Sequence, residues 1–221
     1  MFTSETVLDV RPAGGLVELK TGKATYSAAK VILTAGPWIA KLLPPEFSLH
    51  FRVYRQTLCW FGIAANFGRY VPEHFPVFIW ITGSRVQDML YGFPAIDGPQ
   101  GGLKVATERY ENTVDPDAVP REVSEESLAN MYAEYIAPRF PDVSSRCLRI
   151  ATCLYTVTPD AKFVIDYADA GQNILFASAC SGHGFKHSPA VGEALAQRAL
   201  GIANALDLSA FRLQRLRRRE A

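Results

Sequence analysis

Short apolar runs separated by glycines dominate the first fifty residues, a pattern that predicts strands rather than helices. The runs "VLDV" (7–10) and "LVELKT" (16–21) flank a Gly-Gly pair, so they are expected to form a hairpin. The run "KVILTAG" (30–36) is nearly continuous in apolar residues, which is typical of a strand buried on both faces. The segment "WIAKLL" (38–43) then fits a short helix.

From residue 50 the chain becomes rich in aromatic residues, and apolar and polar positions alternate in parts. This pattern predicts strands of a mostly antiparallel sheet with one packed face. The segments that carry it are "HFRVYRQTLCWFGI" (50–63), "FPVFIWIT" (75–82), "DMLYGFPA" (88–95) and "GLKVATERY" (102–110).

A helix is predicted to follow residue 124, because Ser124 is suited to cap a helix N-terminus. Pro138 is expected to end this helix. Apolar residues with three- and four-residue spacing mark its packed face: Leu128, Met131, Tyr132 and Tyr135.

The last third of the chain predicts strands followed by a helix. The segments "RIATCLYTVTPDAKFVIDY" (149–167) and "NILFASAC" (173–180) have strand character, and the second is apolar enough to be buried. The segment "PAVGEALAQRALGIANAL" (189–206) predicts the closing helix. The basic run "RLQRLRRRE" (212–220) is expected to be a solvated, frayed terminus rather than a binding arm.

The order of these elements predicts an α/β (mixed α+β) protein in which one domain interrupts another. The first domain is expected to comprise residues 1–46 and 150–221, with residues 47–149 inserted as a mostly antiparallel sheet with a helix. A dinucleotide-binding domain normally opens with G-x-G-x-x-G after its first strand, and this chain contains no such motif.

Composition narrows the classes of function. The net charge of +1 over 221 residues gives no electrostatic case for binding nucleic acid or an anionic membrane. No apolar run reaches the ~18 residues of a membrane span, and the N-terminus lacks the pattern of a signal peptide. The 4 cysteines have no CxxC spacing, so neither zinc nor a disulfide framework is expected, and a reducing cytoplasm is the default location.

The stretch "SGHGFK" (181–186) is a cationic turn between the last strand and the closing helix. Its glycines allow close approach of the backbone, and a helix N-terminus attracts negative charge, so the turn predicts an anionic partner. His183 and His187 are not expected to hold a metal, because they are separated by a turn and have no acidic ligand nearby.

Three segments in order resemble the flavin-dependent amine oxidases of the monomeric sarcosine oxidase and N-methyltryptophan oxidase family. They are "YGFPAIDGPQGGLKVATERY", "CLYTVTPDAKFVID" and "SGHGFKHSPAVGEALAQ". The resemblance covers essentially the whole chain, which corresponds to a little over the C-terminal half of such an enzyme. It implies an incomplete FAD-binding domain (1–46 and 150–221) without the Rossmann-type core, and a substrate-binding domain (47–149).

The resemblance also implies a set of cofactor-binding residues. Cys153 matches the cysteine that joins the flavin ring through a thioether, and a thiolate is a suitable nucleophile for an electron-poor ring carbon. The glycine turn is implied to contact the pyrimidine edge of the flavin. The N-terminus of the following helix would face the negative charge that develops on the flavin ring during reduction. The residues of this turn are Gly182, His183, Gly184, Phe185 and Lys186.

Substrate and oxygen are implied to meet a second set of residues. Lys104 matches the catalytic lysine held over the flavin for reaction with O2, where an ammonium stabilises superoxide. Lys186 matches a lysine that binds the substrate carboxylate, and Tyr91 lies where the family lines its substrate pocket. Glu108 replaces a histidine of sarcosine-type members, so it could attract an ammonium substrate or form a salt bridge with Lys104.

Two interpretations of function follow. The first is oxidation of the C–N bond of an N-methyl or secondary amino acid, with electrons passed through FAD to O2. The second is a catalytically inactive fragment of such an oxidase, lacking the ADP-binding half. In that case exposed sheet edges of the FAD-binding domain are expected to favour self-association or a partner chain.

Overall fold

The computed structural model describes residues 1–84 and 88–217, which form a mixed α/β structure with antiparallel sheets. The strands are β1 Val7–Ala13, β2 Leu16–Thr21, β3 Thr25–Ala28, β4 Val31–Leu33, β5 Arg52–Ile63, β6 Phe78–Ile81, β7 Met89–Phe93, β8 Leu103–Thr107, β9 Val143–Val157, β10 Val164–Tyr167 and β11 Ile174–Ser178. The helices are α1 Ile39–Leu42, α2 Pro45–Ser48, α3 Glu125–Met131, α4 Ser188–Leu200 and α5 Gln214–Arg217.

The chain divides into two compact units. The first unit comprises residues 1–53 and 155–221, and the second comprises residues 54–154. The predicted boundaries at residues 46 and 149 lie a few residues before these. The assignment of cofactor and substrate roles to the two pieces stays a prediction.

In the first unit, β1, β2 and β3 form an antiparallel sheet. The predicted hairpin is confirmed: Ala13 pairs with Leu16, and both glycines between them have a left-handed φ, of 57° and 83°. Such a two-residue loop matches the twist of the strands that it joins. The short strand β3 was not predicted, because "TYSA" carries no apolar periodicity.

A second sheet of the first unit has the order β10-β11-β4, in which β11 runs parallel to β4. All residues of β11 are buried, as its apolar sequence predicted. The prediction that residues 30–36 form a strand buried on both faces is wrong, because β4 is an edge strand of 3 residues and Ile32 is 41% exposed.

The C-terminal segment belongs to the core of the first unit. Leu213 and Leu216 are buried in a cluster with Phe176, and Arg215 Nε donates to Asp160 Oδ2 at 2.9 Å. The expected frayed terminus is therefore wrong for residues 212–217, because an apolar pair with three-residue spacing is hidden among the basic residues. Residues 218–220 of that prediction lie outside the described residues.

The closing helix α4 is shorter than predicted. It ends at Leu200 because Gly201 adopts a left-handed φ of 71°. The N–H of Gly201 donates to Arg198 O and the N–H of Ile202 donates to Gln197 O, which satisfies the last carbonyl groups of the helix. Residues 201–206, predicted to be helical, lie beyond this stop.

The second unit is built on a sheet with the order β6-β7-β8-β5-β9, in which neighbouring strands from β6 to β5 are antiparallel. The helix α3 continues as a π-helical turn at Tyr132–Ile136 and covers one face of this sheet. Ser124 caps α3 as predicted, since its Oγ accepts a hydrogen bond from the N–H of Ser127 at 3.2 Å. The predicted apolar face of the helix is confirmed, and Tyr135 is 7% exposed in the core cluster.

Over the described ranges, the helices are all too short or too polar to cross a bilayer.

Candidate functional site

Lys104 lies at the second position of β8, between two aromatic residues of the neighbouring strands. The strand register places Trp60 of β5 and Phe93 of β7 directly opposite Lys104. Residues directly opposite each other point to the same face of an antiparallel sheet. The Lys104 ammonium accordingly lies 5.2 Å from the Trp60 ring centre and 4.8 Å from the Phe93 ring centre. Each such contact contributes about 0.5–1 kcal/mol when exposed and about 2 kcal/mol when desolvated.

Tyr91 shares this sheet face, which we call the lysine face. Tyr91 pairs with Ala106, which lies two residues after Lys104 on β8, and Ile79 of β6 pairs with Tyr91. Ile79 is 69% exposed, so the outer part of the lysine face is accessible. The structure thus brings Lys104 and Tyr91 to one face, and it places Glu108 immediately after the end of β8.

The opposite face of the sheet, which we call the core face, packs against α3 and borders a cavity of about 540 Å³. Arg109 is held in place at this cavity, because its Nη2 donates to the Tyr135 hydroxyl at 2.7 Å and to Glu134 at 3.2 Å. The cofactor-binding, substrate-binding and catalytic residues predicted from the sequence do not line this cavity. Sequence reasoning missed it because its lining comes from β5, α3 and the segment between them, with no contiguous motif.

Cys153 lies on β9 with part of its side chain accessible. Cys153 is not in a disulfide bond, and its strand neighbour Thr152 accepts a hydrogen bond from Arg121 at 3.3 Å. A partly exposed thiol on a regular strand is sterically available to a bulky electrophile.

The glycine turn of the first unit adopts a backbone that few side chains tolerate. Ser181 and Gly182 have φ values of 45° and 76°, in the left-handed region. A Cβ atom at Gly184 would lie 1.6 Å from the carbonyl oxygen of Ala179. The backbone of Ala179 therefore leaves room only for a glycine at position 184. The approach of a ligand to this glycine stays a prediction.

The side chains of His183 and Lys186 stabilise the turn. The His183 ring stacks on Phe163 with 4.7 Å between ring centres, and its Nδ1 lies 2.8 Å from Ser181 O. Lys186 Nζ donates to His183 O at 3.1 Å, while Phe185 is 94% exposed. An ammonium has three N–H donors, so Lys186 retains donors for a carboxylate.

Thr156 is a polar residue that sequence reasoning missed. Its hydroxyl is buried, and it has no hydrogen-bond partner among the residues that the structure describes. The backbone of Thr156 holds the glycine turn, since its carbonyl accepts the N–H of Ser181 at 3.0 Å and its N–H donates to Cys180 Sγ at 3.3 Å. A buried hydroxyl without a partner is costly, so a bound water or a ligand atom is expected to complete its hydrogen bonding.

The N-terminus of α4 follows a 3-10 turn at Phe185–His187, and its first N–H, that of Ser188, already donates to Phe185 O. The residue before the helix, His187, makes no side-chain hydrogen bond to the first N–H groups. These N–H groups carry partial positive charge, which favours a negatively charged group nearby.

Comparison with known families gives one match over most of the chain. Residues 1–198 match the model of the FAD dependent oxidoreductase family. Over 201 residues, the chain is 36% identical to monomeric sarcosine oxidase of Streptomyces avermitilis, covering 90% of this chain and 51% of that protein. It is 32% identical over 204 residues to N-methyl-L-tryptophan oxidase of Salmonella dublin, covering 90% and 51%. It is also 30% identical over 216 residues to human peroxisomal sarcosine oxidase, covering 96% and 54%.

The chain spans about half the length of these curated relatives. Among solved structures, it resembles NikD, an unusual amino acid oxidase essential for nikkomycin biosynthesis, with a TM-score of 0.72 and 22% identity over 94% of this chain and 54% of that one. It also resembles Amadoriase I, a fructosyl amine:oxygen oxidoreductase from Aspergillus fumigatus, with a TM-score of 0.69 and 19% identity over 94% and 48%. These structural similarities show the fold alone.

Proposed function

The chain belongs to the FAD dependent oxidoreductase family, and on that premise we propose that it serves flavin-dependent oxidation of an N-methyl or secondary amino acid. Its relatives named as sarcosine oxidases and N-methyl-L-tryptophan oxidases support this substrate class. When bound, FAD would take two electrons from the substrate C–N bond and pass them to O2. The products would be an imine, which water then hydrolyses, and hydrogen peroxide.

The residues of the first unit fit the edge of a flavin ring, in a domain that we propose to be an incomplete FAD-binding domain. The Thr156 hydroxyl is buried next to the glycine turn without a partner among the described residues, and the positive end of the α4 dipole follows that turn. Both features favour a group rich in hydrogen-bond acceptors. We propose that the turn Gly182, His183, Gly184, Phe185 and Lys186 borders this ring.

Cys153 is proposed to hold the cofactor covalently. A thioether needs a thiol that is accessible and not already in a disulfide, and Cys153 meets both conditions. Covalent attachment would keep the cofactor in place at any free FAD concentration.

Lys186 and Tyr91 are proposed to bind and orient the substrate. The donors that Lys186 retains beside its bond to His183 O suit a carboxylate. Tyr91 would line the pocket from the lysine face, and Glu108 at the end of β8 would attract an ammonium or amine nitrogen.

Lys104 is proposed to supply the charge that oxygen reduction needs, and its geometry is the observation that carries the proposal. Two aromatic rings fix its ammonium on the lysine face. A cation held in advance at the place where negative charge develops lowers the barrier without reorganisation of solvent. Aromatic rings stabilise the cation without neutralising it, as a carboxylate would.

The test is to purify the protein, measure peroxide formed from sarcosine and N-methyltryptophan, and record absorbance near ~450 nm after acid precipitation. We expect peroxide with at least one substrate and yellow colour that stays with the precipitate. The variant Cys153→Ala should lose the acid-stable colour. The control Cys147→Ala, on the same strand, should keep it. Colourless protein that forms no peroxide would contradict the proposed function, and acid-stable colour in Cys153→Ala would contradict the attachment site.

A further inference from the structure

Two cysteines of the second unit form a hydrogen-bonded pair across neighbouring strands. Cys59 lies on β5 and Cys147 on β9, and both belong to the cluster on the core face. Ser144 Oγ of β9 donates to Gly62 O of β5 at 3.0 Å, and the register that continues from this pair places Cys147 opposite Cys59. The Cys59 thiol donates to Cys147 Sγ, which itself donates to Arg149 O at 3.2 Å. Residues opposite each other on adjacent antiparallel strands have Cα atoms about 4.5–5.5 Å apart, a separation that a disulfide bond can span.

The hydrogen bonds make the two thiols chemically unequal. The bond from Cys59 lowers the pKa of Cys147 to about 7, and burial opposes this shift without cancelling it. The same bond and burial raise the pKa of Cys59 above its ordinary range. Cys147 is therefore the more acidic of the two thiols, and Cys59 holds its proton more firmly.

The two sulfur atoms also differ in access. Cys147 is partly exposed, so a small oxidant in solvent can reach it. Cys59 is 0% exposed and borders the cavity of about 540 Å³ on the core face. An accessible thiolate beside a second, protected thiol is the arrangement that oxidation-sensitive cysteine pairs use.

From this geometry we propose that Cys59 and Cys147 form an oxidation site, at which hydrogen peroxide closes a disulfide bond between β5 and β9. The inference rests on the proposed function only for the source of the peroxide, which is the expected product of the chain's own reaction.

The reaction balances in two steps. The Cys147 thiolate attacks one oxygen of hydrogen peroxide, the O–O bond breaks, and the hydroxide that leaves takes up a proton to form water, leaving a sulfenic acid on Cys147. The Cys59 sulfur then attacks the Cys147 sulfur, its proton joins the departing hydroxide as a second water, and the S–S bond forms. Two thiols are oxidised and one peroxide is reduced.

The position of this pair connects it to the lysine face. Trp60 follows Cys59 in β5, and its N–H is bound to Cys147 Sγ. The side chain of the same Trp60 lies under the Lys104 ammonium and, at 4.6 Å, under the Arg149 guanidinium. Closing the disulfide would change the sulfur atom to which the Trp60 N–H is bound. This change would shift the Trp60 ring, which contacts the Lys104 ammonium.

The test treats the full, reduced chain with added hydrogen peroxide in the absence of amine substrate. We expect the intact mass to fall by two hydrogen masses and peptide mapping to identify a Cys59–Cys147 bond that a thiol reductant reverses. Peroxide should react about tenfold faster than with free cysteine at neutral pH, because a larger fraction of Cys147 is ionised there. A disulfide between other cysteines, or added oxygen on Cys147 without a disulfide, would overturn the proposal.

Matched variants isolate the pair. Replacing the other two cysteines, Cys153→Ser with Cys180→Ser, should leave the disulfide yield unchanged. Cys147→Ser should abolish the disulfide and leave Cys59 as a thiol, and a disulfide of equal yield in that variant would contradict the site. Peptide mapping of the unsubstituted chain shows whether the Cys59–Cys147 bond forms even if a variant fails to fold. Because the peroxide is added, this result does not depend on whether the chain oxidises amines. In the same way, a failure to form the disulfide would not contradict the proposed amine oxidation.

Discussion

The two faces of the five-stranded sheet use alternate residues of the same strands for different purposes. On β8, Leu103 and Val105 are fully buried on the core face, whereas Lys104 between them directs its ammonium to two rings on the lysine face. On β7, Leu90 is fully buried, and Tyr91 beside it belongs to the lysine face. The difference shows how a period of two places packed residues and the proposed site residues on opposite faces of one strand.

The separation has a practical consequence for substitution. Residues of the core face pack in the cluster against α3, so truncating their side chains is expected to lower the free energy of unfolding. Exposed residues of the lysine face, such as Ile79, can be changed with less effect on folding than its buried members Trp60 and Ala106.

The largest expected effect is on the core face. Leu90→Ala should lower the free energy of unfolding by about 2–5 kcal/mol, because it leaves a cavity in a fully buried site. Its matched control is Ile79→Ala on the neighbouring strand, where the side chain is 69% exposed and the change should be within about 0.5 kcal/mol. Denaturant unfolding measures both, and equal losses would contradict the assignment of the two faces.

A smaller effect is expected on the lysine face. Phe93→Leu removes one of the two rings under the Lys104 ammonium, a contact worth about 0.5–2 kcal/mol. We expect the oxygen half-reaction to slow roughly twofold to thirtyfold. Phe93→Tyr, which keeps an aromatic ring, should restore the rate. A rate unchanged in Phe93→Leu would show that the ring does not position Lys104.

Much of the fold could be predicted from the sequence, because periodicity and capping are local signals. The hairpin at the Gly-Gly pair, the buried strand β11 and the cap at Ser124 all follow from short stretches of sequence. The docking of Leu213 and Leu216 could not be predicted, because two apolar residues among arginines are too few for a periodic signal. The early end of α4 depends on the left-handed φ of Gly201, and a glycine alone does not determine that conformation.

The candidate site was predictable to a smaller extent. The motifs predicted Lys104 and the glycine turn as site residues, and this assignment stays a prediction. The two rings beside Lys104 belong to strands that are distant in the sequence. Their position depends on the strand register, which a short sequence segment does not determine. The buried hydroxyl of Thr156 and the pairing of Cys59 with Cys147 depend on tertiary contacts in the same way.

The most direct test of the central claim is the rate at which the reduced protein reacts with O2, measured by stopped-flow absorbance in the unmodified protein and in Lys104→Met. The account predicts a loss of about a hundredfold or more in this rate, because a fixed charge at the site of developing negative charge is removed. Anaerobic reduction by the amine and the free energy of unfolding should change little. An oxygen reaction of unchanged rate in Lys104→Met would contradict the account.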